Sequence, residues 1–508
     1  MINIGNSIAL LALLTWPLVV FILFRVLTLE RALIWSILGG YMLLPQLSEI
    51  NLPGIPGFNK ETIPNLAAFA GCMFVLGRFP AILPQSLAGK LILAVFIISP
   101  SVTVLTNLEP MQFGIEYFGS FQVFDPSNLE RAQLPGLRIY DAASSLTNQL
   151  FVMLPFFLAR SVLNTAEALR EVLVALVIAG LIYALPMLFE VRFSPQLHTW
   201  LYGFFQHDFI QAIRSGGFRP FVFMPHGIWV AFFAFMCVMA AAALLRMSEP
   251  AGRGRMMLLV LFMAGLVLIC KTLGPILMML VFVPVLLLLR PRVHLTMAAL
   301  IAVLVLAYPL LRGSGIIPVQ TLLTQVAAIE PERAASLAYR FANEDMILNH
   351  VAQKMLFGWG GWGRFMPYDP LTGTSDVVVD GTWIIAIGHF GWLGYLALFG
   401  LLALPLLSLW WHARKPFAPV VPLSVSAVAL ILAANMVDLL PNDTLIPFTW
   451  LMAGALLGYA EALGRATSAA RMQALQARRG QRTTRAGTDT TTDGQQEVTK
   501  QPARRTIL

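Results

Sequence analysis

Arginines set close to glycines are the chain's clearest chemical feature. In the stretch WLYGFFQHDFIQAIRSGGFRPFVFMPHGIW, Arg214 and Arg219 flank Gly216-Gly217, and Pro225-His226-Gly227 opens an apolar run. Two guanidiniums beside a glycine-softened turn can take a phosphate or pyrophosphate through paired N–H···O bonds; they suit anionic lipid headgroups equally well. His226 fits a hydrogen-bonding role at a membrane interface better than a catalytic one. A second stretch, PERAASLAYRFANEDMILNHVAQKMLFGWGGWGRF, is helical in pattern from Glu332 to Lys354. Leu337, Phe341, Leu348, Ala352 and Met355 form one stripe, and Arg340, Asn343 and His350 lie on another flank. Arg340 also stands one turn before Glu344, at the spacing of an i,i+4 ion pair. Gly358-Trp359-Gly360-Gly361-Trp362-Gly363 then makes a mobile aromatic turn, with Arg364 just beyond it. Tryptophans beside glycines suit stacking on sugar rings or anchoring at a membrane interface.

The elements that must position these residues follow from the solvent. Of the 508 residues, 58% are hydrophobic and only 12% charged, and the mean hydropathy is +0.75. Apolar runs of about 17–25 residues, the length a hydrocarbon core demands, recur along the chain. Each must be helical, because lipid offers no partner for a free backbone N–H or C=O. The sequence therefore predicts an all-α integral membrane protein, a bundle of about 12–13 transmembrane helices within residues 1–464. The expected spans are 6–27, 32–47, 64–79, 90–107, 143–159, 171–189, 226–245, 255–270, 273–290, 294–311, 384–411, 418–437 and 444–463. The first lacks a basic leader and a small-residue cleavage site, and reads as a retained helix. Cys72, Cys237 and Cys270 all fall in apolar runs, without disulfide or metal spacing, and read as buried thiols.

Charge orients the bundle. Short basic connections carrying Arg25/Arg31, Arg78/Lys90, Arg160/Arg170, Arg246/Arg253/Arg255, Arg290/Arg292 and Arg414/Lys415 alternate with longer, mixed ones, notably near 108–142, 190–225 and 312–383. Placing the basic set and the C-terminal tail in the cytoplasm puts 22 of the 34 Lys and Arg there, as the positive-inside bias requires. Both arginine-bearing loops, with short amphipathic helices inside them, then face outward. Nine of the 34 lie after Leu463, and residues 465–508 read as a disordered, basic cytoplasmic tail. The net charge of +8 thus reflects topology and not nucleic acid binding. Mid-membrane charge is almost absent, which argues against an ion-coupled transporter.

The pieces, in this order, resemble the O-antigen ligase and polymerase superfamily of bacterial surface glycans. Arg214, Gly217-Phe218, Pro225 and Gly227 match its first pattern. Arg340, a short helix and then Leu356-Phe357-Gly358-Trp359-Gly360 match its second. Asp380-Gly381, nine residues, Gly391, Trp392-Leu393 and Gly394 keep the spacing of its third, but Asp380 stands where that pattern begins with His. The resemblance covers residues 190–412 by motif and the rest by hydropathy.

It implies a multi-pass enzyme of the bacterial inner (cytoplasmic) membrane, with active loops on the periplasmic face. Such an enzyme transfers a glycan from an undecaprenyl-pyrophosphate-linked donor to a hydroxyl of a glycan acceptor, without metal or cofactor. Its partners would be these substrates, membrane lipids and polysaccharide assembly proteins. Arg214 and Arg340 would hold the pyrophosphate, with Arg219 in reserve and His226, His350, Trp359, Trp362 and Arg364 contacting substrate. The incoming hydroxyl needs a base. Asp380 is open to two roles: that base, or an N-cap for the helix starting at Thr382, where the helix dipole would hold its charge. His389 cannot substitute, since nine residues at about 100° each turn it to the opposite face. The missing His favours a surface polysaccharide polymerase over a ligase acting on lipid A core. A lipid-linked sugar transporter and a non-catalytic assembly subunit are the alternatives of another class.

Overall fold

Helices form wherever the apolar runs lie, with ends set by capping groups. The computed structural model describes residues 5–51, 56–77, 79–112, 133–214, 216–369 and 374–492. Arg78, residues 113–132 of the 108–142 connection and residues 493–508 of the expected tail lie outside them. The first half of the chain forms α1 (Ser7–Val26), α2 (Leu29–Leu43), α3 (Thr62–Leu76), α4 (Leu87–Leu105), α5 (Ile139–Val162), α6 (Ala166–Phe193), a short α7 (Leu197–Tyr202) and α8 (Gly227–Met247). The second half forms α9 (Arg253–Ile269), α10 (Leu273–Leu288), α11 (Pro291–Gly313), α12 (Val319–Ile329), α13 (Pro331–Val351), α14 (Thr382–Ala413), α15 (Leu423–Asp438) and α16 (Pro447–Thr492). Among the described residues, the only extended structure is three two-residue antiparallel pairings.

Each of the thirteen expected spans coincides with one of these helices. Among the described residues, eight stretches are long and apolar enough to cross a membrane: α1, α4, α5, α6, α8, Pro250–Ile269, α11 and α14; α3, α10 and α15 are shorter apolar helices. The protein is a multi-pass, all-α membrane protein. Exposed Phe21, Leu185 and Leu258 show the side turned to lipid, while Phe232–Ala243 of α8 and Val425–Ala434 of α15 are buried at the centre. The three thiols are free and buried. Side chains set several starts: Asn6 accepts from the amides of Ile8 and Ala9, Ser86 from Gly89 and Thr165 from Ala168.

The connections gather in two groups. In one, Lys60 Nζ donates to the Phe223 carbonyl (2.9 Å), Lys271 Nζ to Arg214 (3.0 Å) and Arg340 Nη1 to Pro441 (3.0 Å). In the other, Arg31 pairs with Glu171, Arg160 with Glu461 (2.8 Å each) and Ser424 donates to Ala166 (3.0 Å). The long, mixed connections thus meet one another, and so do the short, basic ones.

One expectation needs correcting. Residues 465–492, read as disordered, continue α16. The Ala, Met, Leu, Gln and Arg between Arg465 and Arg479 are strong helix formers, and that propensity holds where apolar content fails. At 46 residues and ~1.5 Å each the helix is ~69 Å long, more than twice a hydrocarbon core of about 30 Å.

Candidate functional site

Arg340 does not pair with Glu344. Its Nε lies 3.3 Å from Asp380 Oδ2, and both side chains stay more than a third exposed, at 35% and 38%. Its Nη1 donates to the carbonyl of Pro441 (3.0 Å), in the turn between α15 and α16. The cap position of α14 is Gly381, with no side-chain cap bond, so Asp380 is not the N-cap. It stands one residue too early, while the Thr382 hydroxyl donates to Asp443 Oδ1 (2.9 Å). An ion pair this exposed contributes little, about 0–1 kcal/mol, and both partners can exchange it for a ligand. The pair borders a cavity of about 160 Å³ lined by Tyr308, Arg340, Glu344, Asp380, Leu440 and Pro441 among others.

The inward face of α13 is also rotated from the expected stripe. Ala334, Asn343, Ile347 and Val351 are buried, whereas Met355 is exposed. The helix ends at Val351 in a tight 3-10 turn, Ala352–Lys354, which takes the last members of the stripe off the helical face.

Arg219 and His226 form a buried pair. Arg219 donates from Nε to the Gln211 carbonyl (2.8 Å), and its Nη2 lies 2.7 Å from His226 Nε2. Arginine cannot accept, so Nε2 accepts here, while the Ile228 amide points at Nδ1 (3.2 Å); two donors facing the ring exclude the imidazolium. Burial pushes His226 down to about 3, and the charges of Arg219, His207, Arg214 and Arg340 push the same way. Burial, helped by the charge of Arg214, also brings Arg219 down to about 10. Arg214 is exposed, in a two-residue pairing opposite Gly217, and makes no ion pair among the described residues. Glu190, at the end of α6, holds this segment: its carboxylate accepts from the amides of Leu197 (3.2 Å), Phe221 (2.8 Å) and Val222 (2.7 Å).

The aromatic turn, expected to be mobile, is pinned. α14 breaks at Gly391, where φ is 64° and ψ is −165°. The break frees carbonyls and amides that the turn takes up. Trp359 N donates to Gly388 O and Gly360 N to His389 O (2.9 Å each), while Trp392 N donates to Met355 O (2.9 Å) and Leu393 N to Leu356 O (3.3 Å). A Cβ on Gly391 would sit 2.4 Å from the Leu356 carbonyl, and one on Gly358 would sit 2.6 Å from Gly391 N. Asn107 and Thr103 of α4 and its end close the far side by donating to the carbonyls of Gly358 (3.0 Å) and Phe357 (2.5 Å).

Several expected substrate contacts are spent inside this lock. Arg364 is fully buried, and its three nitrogens donate to the carbonyls of Trp359 (3.3 Å), Pro135 and Glu109 (2.9 Å each). No part of it is left for a substrate. Trp359 is buried and stacks on His350 with ring centroids 4.3 Å apart, and its Nε1 donates to the His350 carbonyl (3.2 Å). His350 in turn lies 3.2 Å from the Arg364 carbonyl. Trp362 alone of these remains open, 67% exposed. His389 packs edge-on against Phe365, 4.5 Å between centroids.

Residue types alone concealed three polar groups. Glu344 lines the cavity and Glu190 organises the preceding segment. Lys60 is buried and held by Phe223, and burial brings its ammonium down to about 7, with Glu61 opposing. Burial raises Glu61 too, against the charge of Lys60 and with that of Asp443. The available signals were a carboxylate one turn after Arg340, a carboxylate closing an apolar run and a lysine opening one. Neither a protein-family model nor a curated protein matches this chain.

Proposed function

We propose that this chain transfers a glycan from an undecaprenyl-pyrophosphate-linked donor to a sugar hydroxyl at the outer face of a bacterial cytoplasmic membrane, as a surface polysaccharide polymerase. One observation carries the reading: Arg340, partly exposed and only 3.3 Å from Asp380, lines a cavity among the long, mixed connections, the group that also holds exposed Arg214 opposite Gly217. A concentration of guanidiniums at one end of an apolar bundle suits a leaving pyrophosphate, whose charge grows as the glycosidic bond breaks. Exposed Arg214 and Arg340, which can exchange its half-exposed Asp380 pair, are the groups to meet it; Arg219 is buried on the Gln211 carbonyl and His226. Exposed Trp362 offers a stacking face for a sugar. The motif resemblance to O-antigen ligases and polymerases supports the same chemistry, and the Asp in place of their His favours the polymerase.

The test is polymer amount and length in a deletion strain complemented with Arg214→Ala, Arg340→Ala and the corresponding Lys variants at matched membrane levels. Each Ala variant should lose about 10²–10³ in rate. Each Lys variant should lose much of it as well, since lysine keeps the charge without the planar fork. Full activity in both Ala variants would remove the proposal.

A further inference from the structure

We infer that Glu344 is the proton acceptor of this cavity, while Asp380 stays with Arg340. The inference rests on the glycan-transfer reading above and adds to it the residue that receives the hydroxyl proton.

Glu344 follows Arg340 by one turn of α13, and both line the cavity. Its side chain keeps 14% of its surface open, and its Oε2 is buried with no hydrogen-bond partner. The Trp383 indole, itself without a close partner, bears on this carboxylate as a donor, yet Oε2 has no partner at hydrogen-bond distance, whereas most buried polar groups have one. The nearest cation, Arg312 on α11, brings Nε only to 3.7 Å from Glu344 Oε2. Its close contact is Asp345, at 2.7 Å. Glu344 therefore retains the accepting capacity that Asp380 gives to Arg340.

The groups facing it are known on each side. Arg312 and Tyr308 come from α11, Arg340 and Asp345 from α13 itself, Asp380 from the segment before α14 and Trp383 from its first turn. Burial outweighs the pull of Arg312 and Arg340 and raises the carboxyl to about 7, the range in which a group both accepts and releases a proton at neutral pH.

In the step, the acceptor hydroxyl oxygen forms a bond to the donor's anomeric carbon. The bond from that carbon to the pyrophosphate oxygen breaks, and its electron pair leaves on the pyrophosphate beside Arg340 and Arg214. The hydroxyl proton passes to the Glu344 carboxylate and from there to water.

The experiment compares wild type, Glu344→Gln and Arg340→Ala for polymer formation in permeabilised cells across neutral pH, at matched membrane levels. Wild-type rate should rise about tenfold per pH unit up to about 7 and then level off. Glu344→Gln should fall by about 10²–10⁴ and lose that rise. An active Glu344→Gln with the wild-type pH profile overturns the inference. If Arg340→Ala is inactive in that case, glycan transfer survives and only the acceptor is wrong; if Arg340→Ala is fully active, the transfer reading itself falls. A second measurement needs neither turnover nor a folded variant. A hydrophobic carbodiimide reacts with protonated carboxyls, and Glu344 in wild-type membranes should be modified below about pH 7 and progressively spared above it. No modification at acid pH overturns the inference as well.

Discussion

Gly391→Ala tests the interlock that shapes the site. The residue's φ of 64° and ψ of −165° belong to a region essentially reserved for glycine, costing about 1–3 kcal/mol for any other residue. Space is refused as well: the new Cβ would lie 2.4 Å from Leu356 C and O and 2.6 Å from Phe357 N. Carbon atoms rest at roughly 3.5–4.0 Å, so the Leu356–Phe357 backbone must retreat by roughly 1 Å. The four bonds between turn and break are 2.9 to 3.3 Å long and do not survive such a shift. Losing even two of them, at about 0.5–1.5 kcal/mol each, brings the total to on the order of 2–6 kcal/mol. Hydrogen–deuterium exchange of the detergent-solubilised protein should show residues 355–360 losing protection, with a fall in thermal midpoint. Gly361→Ala is the control, because a Cβ there meets nothing within 4 Å. If Gly391→Ala keeps wild-type protection over 355–360, the account of the turn as locked into the helix break is wrong.

Arg364→Met should lower the thermal midpoint substantially, since three buried carbonyls lose their donor at about 1–3 kcal/mol for each one left unpaired; an unchanged midpoint would show they find other partners. Asp380→Asn removes only a half-exposed pair, so stability should change by less than about 1 kcal/mol and transfer should persist; a collapse of transfer would give Asp380 the base role instead. Stability should also depend on pH through Glu344, whose carboxyl titrates near 7 when folded against an ordinary value of 4.5. The folded state then binds more protons between those values, so stability falls as pH rises through that window, and a chemical-denaturation series should find Glu344→Gln flatter there. Cysteines placed at Trp362 and Lys415, with the native buried thiols retained, should differ in access to an impermeant maleimide: the first labels in intact cells, the second only after permeabilisation.

Much of the fold was legible because one physical rule dominates it. An apolar run in lipid has to be helical, so hydropathy alone located the spans. Their ends were harder to read: 32–47 is really Leu29–Leu43 and 143–159 is Ile139–Val162. A helix can begin or end in polar sequence, as α5 does with Asp141 in its first turn, where hydropathy has already fallen away. The site was legible as residues and not as pairings. Arg340 was singled out, yet its nearest carboxylate in sequence, Glu344, is not its partner; a residue forty positions later is. Arg364 looked like a substrate contact because a lone arginine after an aromatic turn carries no sign that three carbonyls will enclose it. Glycine spacing was the best guide, since Gly358 and Gly391 occur where two backbones approach too closely for any side chain.

Arg340 reaches both Asp380 and the Pro441 carbonyl, and this dual grip makes it a point of thermodynamic exchange. An anion entering the cavity cannot take the guanidinium without competing against one of these holders. If Pro441 is the one released, ligand affinity and the conformation of the α15–α16 turn share a single coupling free energy, equal in both directions. The same turn holds the start of α14, through Thr382 N to the Asn442 carbonyl (3.2 Å) and the Thr382 hydroxyl to Asp443. A lipid or protein that grips residues 439–446 would then act as an effector of the cavity without entering it.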